Sequence, residues 1–204
     1  MKIIDLSVPV NENTPAYPGD PKIKIETLAT YEKDTYNDHA VSFGIHSSGT
    51  HIDGPWHMVA DGKRLDQVPV EQFIGHGRVV KVEDGNYSLV AVKDAGIAEG
   101  DNVLFYTSMA KVYGQDEYYG DVRPVMPEEV ANYLVEKKIK MIGLDMYSPD
   151  KMPFPVHRIL LGNDILIIEN MTNLDQLEGK EFTVYALPIN LQLDGAPARV
   201  IAQI

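Results

Sequence analysis

The chain concentrates His46, His51 and His57, half of its six histidines, with Asp53 in one short run, His46-Ser47-Ser48-Gly49-Thr50-His51-Ile52-Asp53-Gly54-Pro55-Trp56-His57. A neutral imidazole and an ionised carboxylate are good ligands for zinc or a similar divalent ion, and glycine and proline let the backbone aim them at one point. A lone histidine is ordinarily a hydrogen-bonded structural residue. Three histidines beside an acid at this spacing point instead to a metal site. In an extended strand side chains two apart share a face, so His51 and Asp53 converge. Gly54-Pro55 can then turn the chain so that His57 lies over the same pocket without being a ligand. His46 precedes His51 by an odd number of residues and has the opposite parity. A one-residue bulge, or an irregular turn through Ser47-Ser48-Gly49, is needed to bring it back.

The elements that must hold this run are short apolar stretches rich in Val and Ile, punctuated by Gly, Pro, Asn and Asp, which predicts many strands and few helices. Strands are expected over 3–10, 22–27, 41–45, 78–82, 102–106, 141–144, 164–169 and 182–187, with 200–204 closing a sheet edge. Residues 11–21 form a loop, since Pro15, Pro18 and Pro21 prevent regular structure. The clearest helix is 127–138, with proline in the first turn, Glu128 and Glu129 at its positive end and Lys137 and Lys138 at its negative end. Val130, Leu134 and Val135 mark its packed face. The reading is a mixed, β-rich α/β fold.

Composition narrows the function. The sequence has 204 residues, enough for one sizeable domain, 1–204, but few for two. It is 44% hydrophobic with no apolar run long enough to span a bilayer, so no membrane partner is expected. The opening Met1-Lys2-Ile3-Ile4-Asp5-Leu6 carries an acid in its apolar run and no small-residue cleavage site, which makes the cytoplasm the expected location. No cysteine is present, so a metal here is held by nitrogen and oxygen alone. A net charge of −12 without a basic stripe repels a phosphate backbone, and no nucleic-acid partner is expected.

The stretch Gly49-Thr50-His51-Ile52-Asp53-Gly54-Pro55-Trp56-His57 resembles the signature of the metal-dependent cyclase family, which includes arylformamidases and isatin hydrolases. The family pattern His-x-Gly-Thr-His-x-Asp-x-Pro-x-His is met at every fixed position but the first, where the spacing falls on Ser47 and the chain offers His46 one residue earlier. Either a bulge returns His46 to the metal, or Ser47 occupies the position. Ile4-Asp5-Leu6-Ser7 and Ala16-Tyr17-Pro18-Gly19-Asp20-Pro21 look like the family's opening strand and aromatic-Pro-Gly-Asp-Pro loop. Tyr17 stands where many relatives carry a pocket-lining tryptophan. His157 and Glu169 match the family's second-site ligands; read without the resemblance, they are a helix-start residue and a strand-end charge. Asp194-Gly195-Ala196-Pro197-Ala198-Arg199 is similar to a family loop near the active site that ends in Pro-x-Arg.

The resemblance implies a swivelling β/β/α fold, a homodimer or homotetramer, and one or two divalent ions, zinc first and manganese as the alternative. His46, His51 and Asp53 would hold the first ion, and Asp53 would bridge to a second completed by His157 and Glu169. A metal-activated water would attack the carbonyl of a small-molecule amide, formamide or cyclic imide, with His57 as the general acid/base. Tyr17, Trp56 and Arg199 are the expected substrate-binding residues, although Trp56 reads equally as core packing. A cyclase or dehydratase acting on a polyketide-like carbonyl compound, or an inactive metal-binding relative, are the competing readings. Hydrolysis consumes water and releases a carboxylate; cyclisation does neither. His76, between Gly75 and Gly77, reads as a turn residue and His39 as a surface one. The tyrosine-rich segment 106–121 reads first as a surface or oligomer-contact loop, and second as a lid.

Overall fold

Alternation along the strands decides what each one shows to the interior. In the computed structural model, which describes residues 1–120 and 123–204, the chain runs through β1 (Ile3–Asp5), β2 (Lys24–Ala29), α1 (Tyr31–Asp34), β3 (Asp38–Ser42), β4 (His51–Asp53), β5 (Ile74–Lys81), α2 (Leu89–Asp94), β6 (Asn102–Tyr106), α3 (Glu128–Glu136), β7 (Met141–Leu144), α4 (Pro155–Leu161), β8 (Leu166–Glu169), β9 (Phe182–Pro188) and β10 (Gly195–Gln203). Seven of these strands close into a barrel in the order β10-β4-β8-β7-β6-β5-β9, because β9 pairs back onto β10. Strands β5 to β8 are mutually parallel, and the remaining pairings are antiparallel. β1 adds to the far part of β10, and β2 with β3 forms a separate two-stranded ribbon.

One set of side chains fills the barrel: Ile52, Leu104, Leu166, Ile168, Val184, Ala196 and Val200 are buried together. Their strand neighbours Val103, Phe105, Ile142, Leu144 and Ile167 face outward and pack under Val92 of α2, Val130 and Leu134 of α3 and Leu160 of α4. The two apolar layers make a mixed α/β fold, and closure leaves few strand edges to protect. No described helix is long and apolar enough to cross a membrane.

Several expectations shift for local reasons. The first strand stops at Asp5 rather than residue 10: the Ser7 hydroxyl trades hydrogen bonds with Val200, and the Val8 N–H donates to Thr50 Oγ1. The strand expected over 41–45 is Asp38–Ser42, and beyond Gly44 the chain enters a 3-10 turn, Ile45–Ser47. The C-terminal strand is longer than 200–204 and is no edge, since β10 pairs with β1, β4 and β9. His76 lies inside β5 rather than in a turn, where its ring nitrogens contact Asp101 and Glu181. The flanking Gly77 is there for space, because a Cβ at that position would sit 1.9 Å from the Phe182 ring. His157, expected ahead of its helix, lies within α4.

Candidate metal centre

Apolar Ile52 points into the barrel, so its neighbours His51 and Asp53 must point out, toward α4. The antiparallel register sets His51 directly opposite Glu169 on β8, and directly opposed residues share a face. The helix α4 then lowers His157 onto the same place. All four side chains are buried. His51 Nε2 lies 3.4 Å from Asp53 Oδ1 and 3.5 Å from Glu169 Oε2, while His157 Nε2 lies 3.5 Å from Glu169 Oε1 and 3.9 Å from Asp53 Oδ2.

The opposite ends of these imidazoles are tied down. His51 Nδ1 donates to the Gly49 carbonyl at 2.8 Å, and His157 Nδ1 to Asp150 Oδ1 at 2.6 Å. Each ring is thereby held in the tautomer whose Nε2 lone pair faces the cluster. Asp150 also accepts the Val156 and His157 backbone N–H groups with its other oxygen, so one buried acid caps α4 and orients its histidine. Within the cluster His51 Nε2, Asp53 Oδ2 and Glu169 Oε1 are buried with no hydrogen-bond partner. Leaving three such groups unpaired is costly. The spacings of 3.4–3.9 Å between the donor atoms of this cluster are those of atoms sharing an ion at about 2.0–2.2 Å, which is a fit to a divalent cation held by nitrogen and oxygen.

His46 reaches the cluster through the 3-10 turn Ile45–Ser47 and Gly49, whose φ is +80°. The strand parity that set it apart does not apply to a turn. His46 Nδ1 lies 2.9 Å from Asp53 Oδ1 and its Nε2 2.8 Å from Asp194 Oδ2. Ser47, the alternative at this position, is buried and turns to Asp20. The 3-10 turn Pro55–His57 brings His57 against His46, with ring centroids 3.9 Å apart, and His57 Nδ1 lies 3.2 Å from Asp194 Oδ2. Among the described residues, two donor groups could hold an ion here: His46, Asp53 and His57, and His51, Asp53 and Glu169. Asp53 belongs to both.

The cavity beside these groups measures about 220 Å³ and is lined by Tyr17, His46, His57, Tyr147, Phe154 and Glu169 among others. Two residues expected in the pocket lie elsewhere. Trp56 is 43% exposed, because successive side chains of a 3-10 turn fan apart, and directing Pro55 inward and His57 to the site leaves Trp56 outside. Arg199 falls on the solvent face of β10 between inward Ala198 and Val200, and its guanidinium pairs with Asp5. Tyr118, from the tyrosine-rich segment, is buried and donates to Asn170 Oδ1, while Tyr119 donates to the Pro15 carbonyl at 3.2 Å. The segment is therefore anchored beside the cavity; its last expected residue, Asp121, lies outside the described residues. Sequence reasoning missed Asp150, although an acid shortly before a proline-started helix is a recognisable cap signal. In the sequence Asp194 reads only as part of a loop.

Electrostatics follow from the crowding. Burial alone would lower the pKa of His46, but the charge of Asp53 and the hydrogen bonds to Asp194 and Asp53 push it up to about 10. Burial also opposes protonation of His157, and the hydrogen bond to Asp150 and the charge of Glu169 push it up to about 10. Burial would raise Asp53, yet His46 holds it well below the usual carboxylate range. Without an ion, protons on the imidazoles balance the carboxylates. Because these histidines titrate higher folded than unfolded, their stabilisation is complete below about pH 6.5 and disappears as pH rises toward about 10. The metal-stripped protein is thus expected to show a falling melting temperature from pH 6.5 to 10, followed by circular dichroism at fixed ionic strength. A saturating divalent ion should flatten that fall by replacing the protons; an equally steep fall with metal present would contradict this account.

The Cyclase family model, described as "Putative cyclase", matches residues 4–151. A kynurenine formamidase of Bacillus cereus is 31% identical, the match covering 97% of this chain and 95% of that protein. Isatin hydrolase A from Labrenzia aggregata superposes with a TM-score of 0.89 at 23% identity, over 98% of this chain and 93% of that one. A structure described as "Potential Metal-Dependent Hydrolase With Cyclase Activity" superposes with a TM-score of 0.82 at 26% identity, over 98% and 96% of the two chains.

Proposed function

The chain belongs to the Cyclase family, and from that premise we propose that it is a metal-dependent hydrolase that opens the C–N bond of a small amide, an aryl formamide first and a cyclic imide second. The observation that carries this reading is the convergence of the unpartnered atoms His51 Nε2, Asp53 Oδ2 and Glu169 Oε1 beside a cavity that His57 also lines. His46, His51, Asp53, His157 and Glu169 would hold one or two divalent ions, zinc or manganese. Such an ion supplies acidified water and polarises a carbonyl.

The chain's own residues do the rest. Asp194 accepts from Nδ1 of His57, which leaves the Nε2 lone pair to take a proton from the attacking water and return it to the departing amine. Amines leave poorly as anions, so this delivery is the step that makes an amide cleavable. Tyr17 and Tyr147 wall the cavity and seat an aromatic leaving group. The C–N bond breaks, the carbonyl carbon gains a hydroxyl, and the amine leaves with the proton from His57.

The test is an amide panel that includes N-formylkynurenine, isatin and simple aryl formamides, assayed for carboxylate release with zinc or manganese bound. Turnover that chelation abolishes and metal restores is expected. A fully metallated sample that cleaves none of them would overturn the proposal. Asp194→Asn should lower kcat about 10- to 100-fold with little change in KM, the range for losing a partner that orients a functional histidine. Steady-state kinetics on the same formamide check this, and an unchanged kcat would remove Asp194 from the mechanism.

A further inference from the structure

The mouth of the cavity has its own chemistry. Tyr17 and Asp20 ride on one tight turn, closed by the Asp20 N–H donating to the Tyr17 carbonyl at 2.9 Å with Gly19 at φ +100°. Buried Ser47 locks the turn from beneath: its hydroxyl donates to Asp20 Oδ2 at 2.7 Å and accepts the Tyr17 N–H at 3.1 Å. Ser47 takes up one of roughly four acceptor sites on the carboxylate, and Asp20 lines the cavity with the others to spare.

An aromatic wall lines the same cavity. The Tyr17 and Tyr147 ring centroids are 5.6 Å apart, and those of Tyr119 and Tyr147 are 4.7 Å apart. Arg123, the nearby cation, stacks 4.5 Å from the Tyr147 centroid, donates to the Ser148 and Asp150 carbonyls and does not line the cavity. Among the described residues no lysine or arginine lines the cavity. A site for a substrate carboxylate would want an arginine fork. A carboxylate beside electron-rich ring faces is instead the arrangement that recognises an ammonium group. The net charge of −12 acts in the same direction at long range.

We infer that this cavity selects substrates bearing a positively charged amine, Asp20 pairing with the ammonium while Tyr17 and Tyr147 pack against the adjoining carbon skeleton. The reaction assigned to such a substrate rests on the hydrolase proposal above; the recognition of the cation does not. Ser47 thereby has a use of its own, as the residue that fixes the selecting acid.

Three aryl formamides that differ only in a neutral, an aminoalkyl or a carboxyalkyl arm test the inference. The ammonium substrate is expected to exceed the neutral one in kcat/KM by about tenfold, the scale of one charge-assisted hydrogen bond, and the carboxylate substrate to be the poorest. Asp20→Asn should bring the ammonium-to-neutral ratio to about one, chiefly by raising KM for the ammonium substrate. Ser47→Ala should reduce the ratio partway. Calorimetric binding of phenethylammonium chloride to wild type and Asp20→Asn gives a readout without chemistry. Hydrolysis with no preference for the cation, or a preference that survives Asp20→Asn, overturns the inference while the hydrolase proposal stands. Phenethylammonium binding that depends on Asp20, in a protein that cleaves no amide, supports the inference while the hydrolase proposal fails.

Discussion

His57→Ala is expected to lose turnover by about 10²- to 10⁴-fold, the usual contribution of a positioned general acid/base, while metal content stays as in wild type. The expectation follows from which of its atoms are engaged. His57 Nδ1 lies on Asp194, and the imidazole stacks on His46 and stays partly exposed, whereas His51 and His157 are buried. Removing it would take away the proposed proton carrier and leave His46, His51, Asp53, His157 and Glu169 in place. The alternative is specific, because His57 also belongs to one of the two groups able to hold an ion, with His46 and Asp53. Elemental analysis separates the two roles. Loss of one equivalent of metal would make His57 a ligand and leave the proton transfer without an owner.

Asp53→Ala should have the larger structural effect, since Asp53 alone is shared by both donor groups. All bound metal is expected to be lost, with turnover falling below detection. The variant also leaves His46, His51 and His157 facing one another with a buried acid removed, and breaking a buried charge arrangement in this way costs about 3–5 kcal/mol. A large drop in melting temperature should therefore accompany the metal loss. Wild type stripped by chelation provides the control: it loses activity too, but keeps the carboxylate that balances its imidazoles, and should melt higher than Asp53→Ala at the same pH. Retention of metal in Asp53→Ala would show that the centre of the cluster lies on His51, His157 and Glu169 instead.

Much of this site was legible in the sequence, and the legible part is local. His51 and Asp53 were paired by strand periodicity, and the structure keeps them on one face because Ile52 between them is apolar and goes inward. Gly54 and Pro55 signalled the turn that carries His57. The helix over 127–138 was visible from its charged ends, and it forms as Glu128–Glu136. Short strands were identified more reliably than their limits, since limits depend on partners: Ser7 leaves the strand for a side-chain exchange with Val200, nearly two hundred residues away. His157 and Glu169 came only from family resemblance, because nothing local distinguishes a ligand histidine from one that starts a helix.

Trp56 and Arg199 show how residue type alone misleads. Each has the chemistry of a pocket residue and stands near pocket residues in the chain, yet one lies on the outer corner of a 3-10 turn and the other on the solvent side of β10. Direction, which residue type does not specify, placed them both.

The sequence by itself determined a β-rich α/β chain with a candidate set of nitrogen and oxygen donors centred on His51 and Asp53, because composition and side-chain periodicity are properties of short stretches. Only the tertiary structure decided that the sheet closes through β9 and β10, that His46 rather than Ser47 reaches Asp53, and that Asp150 and Asp194 set the tautomers of the histidines they hold. Those outcomes depend on contacts between residues far apart in the chain, where the positions of two backbones, not the identity of either residue, fix which atoms meet.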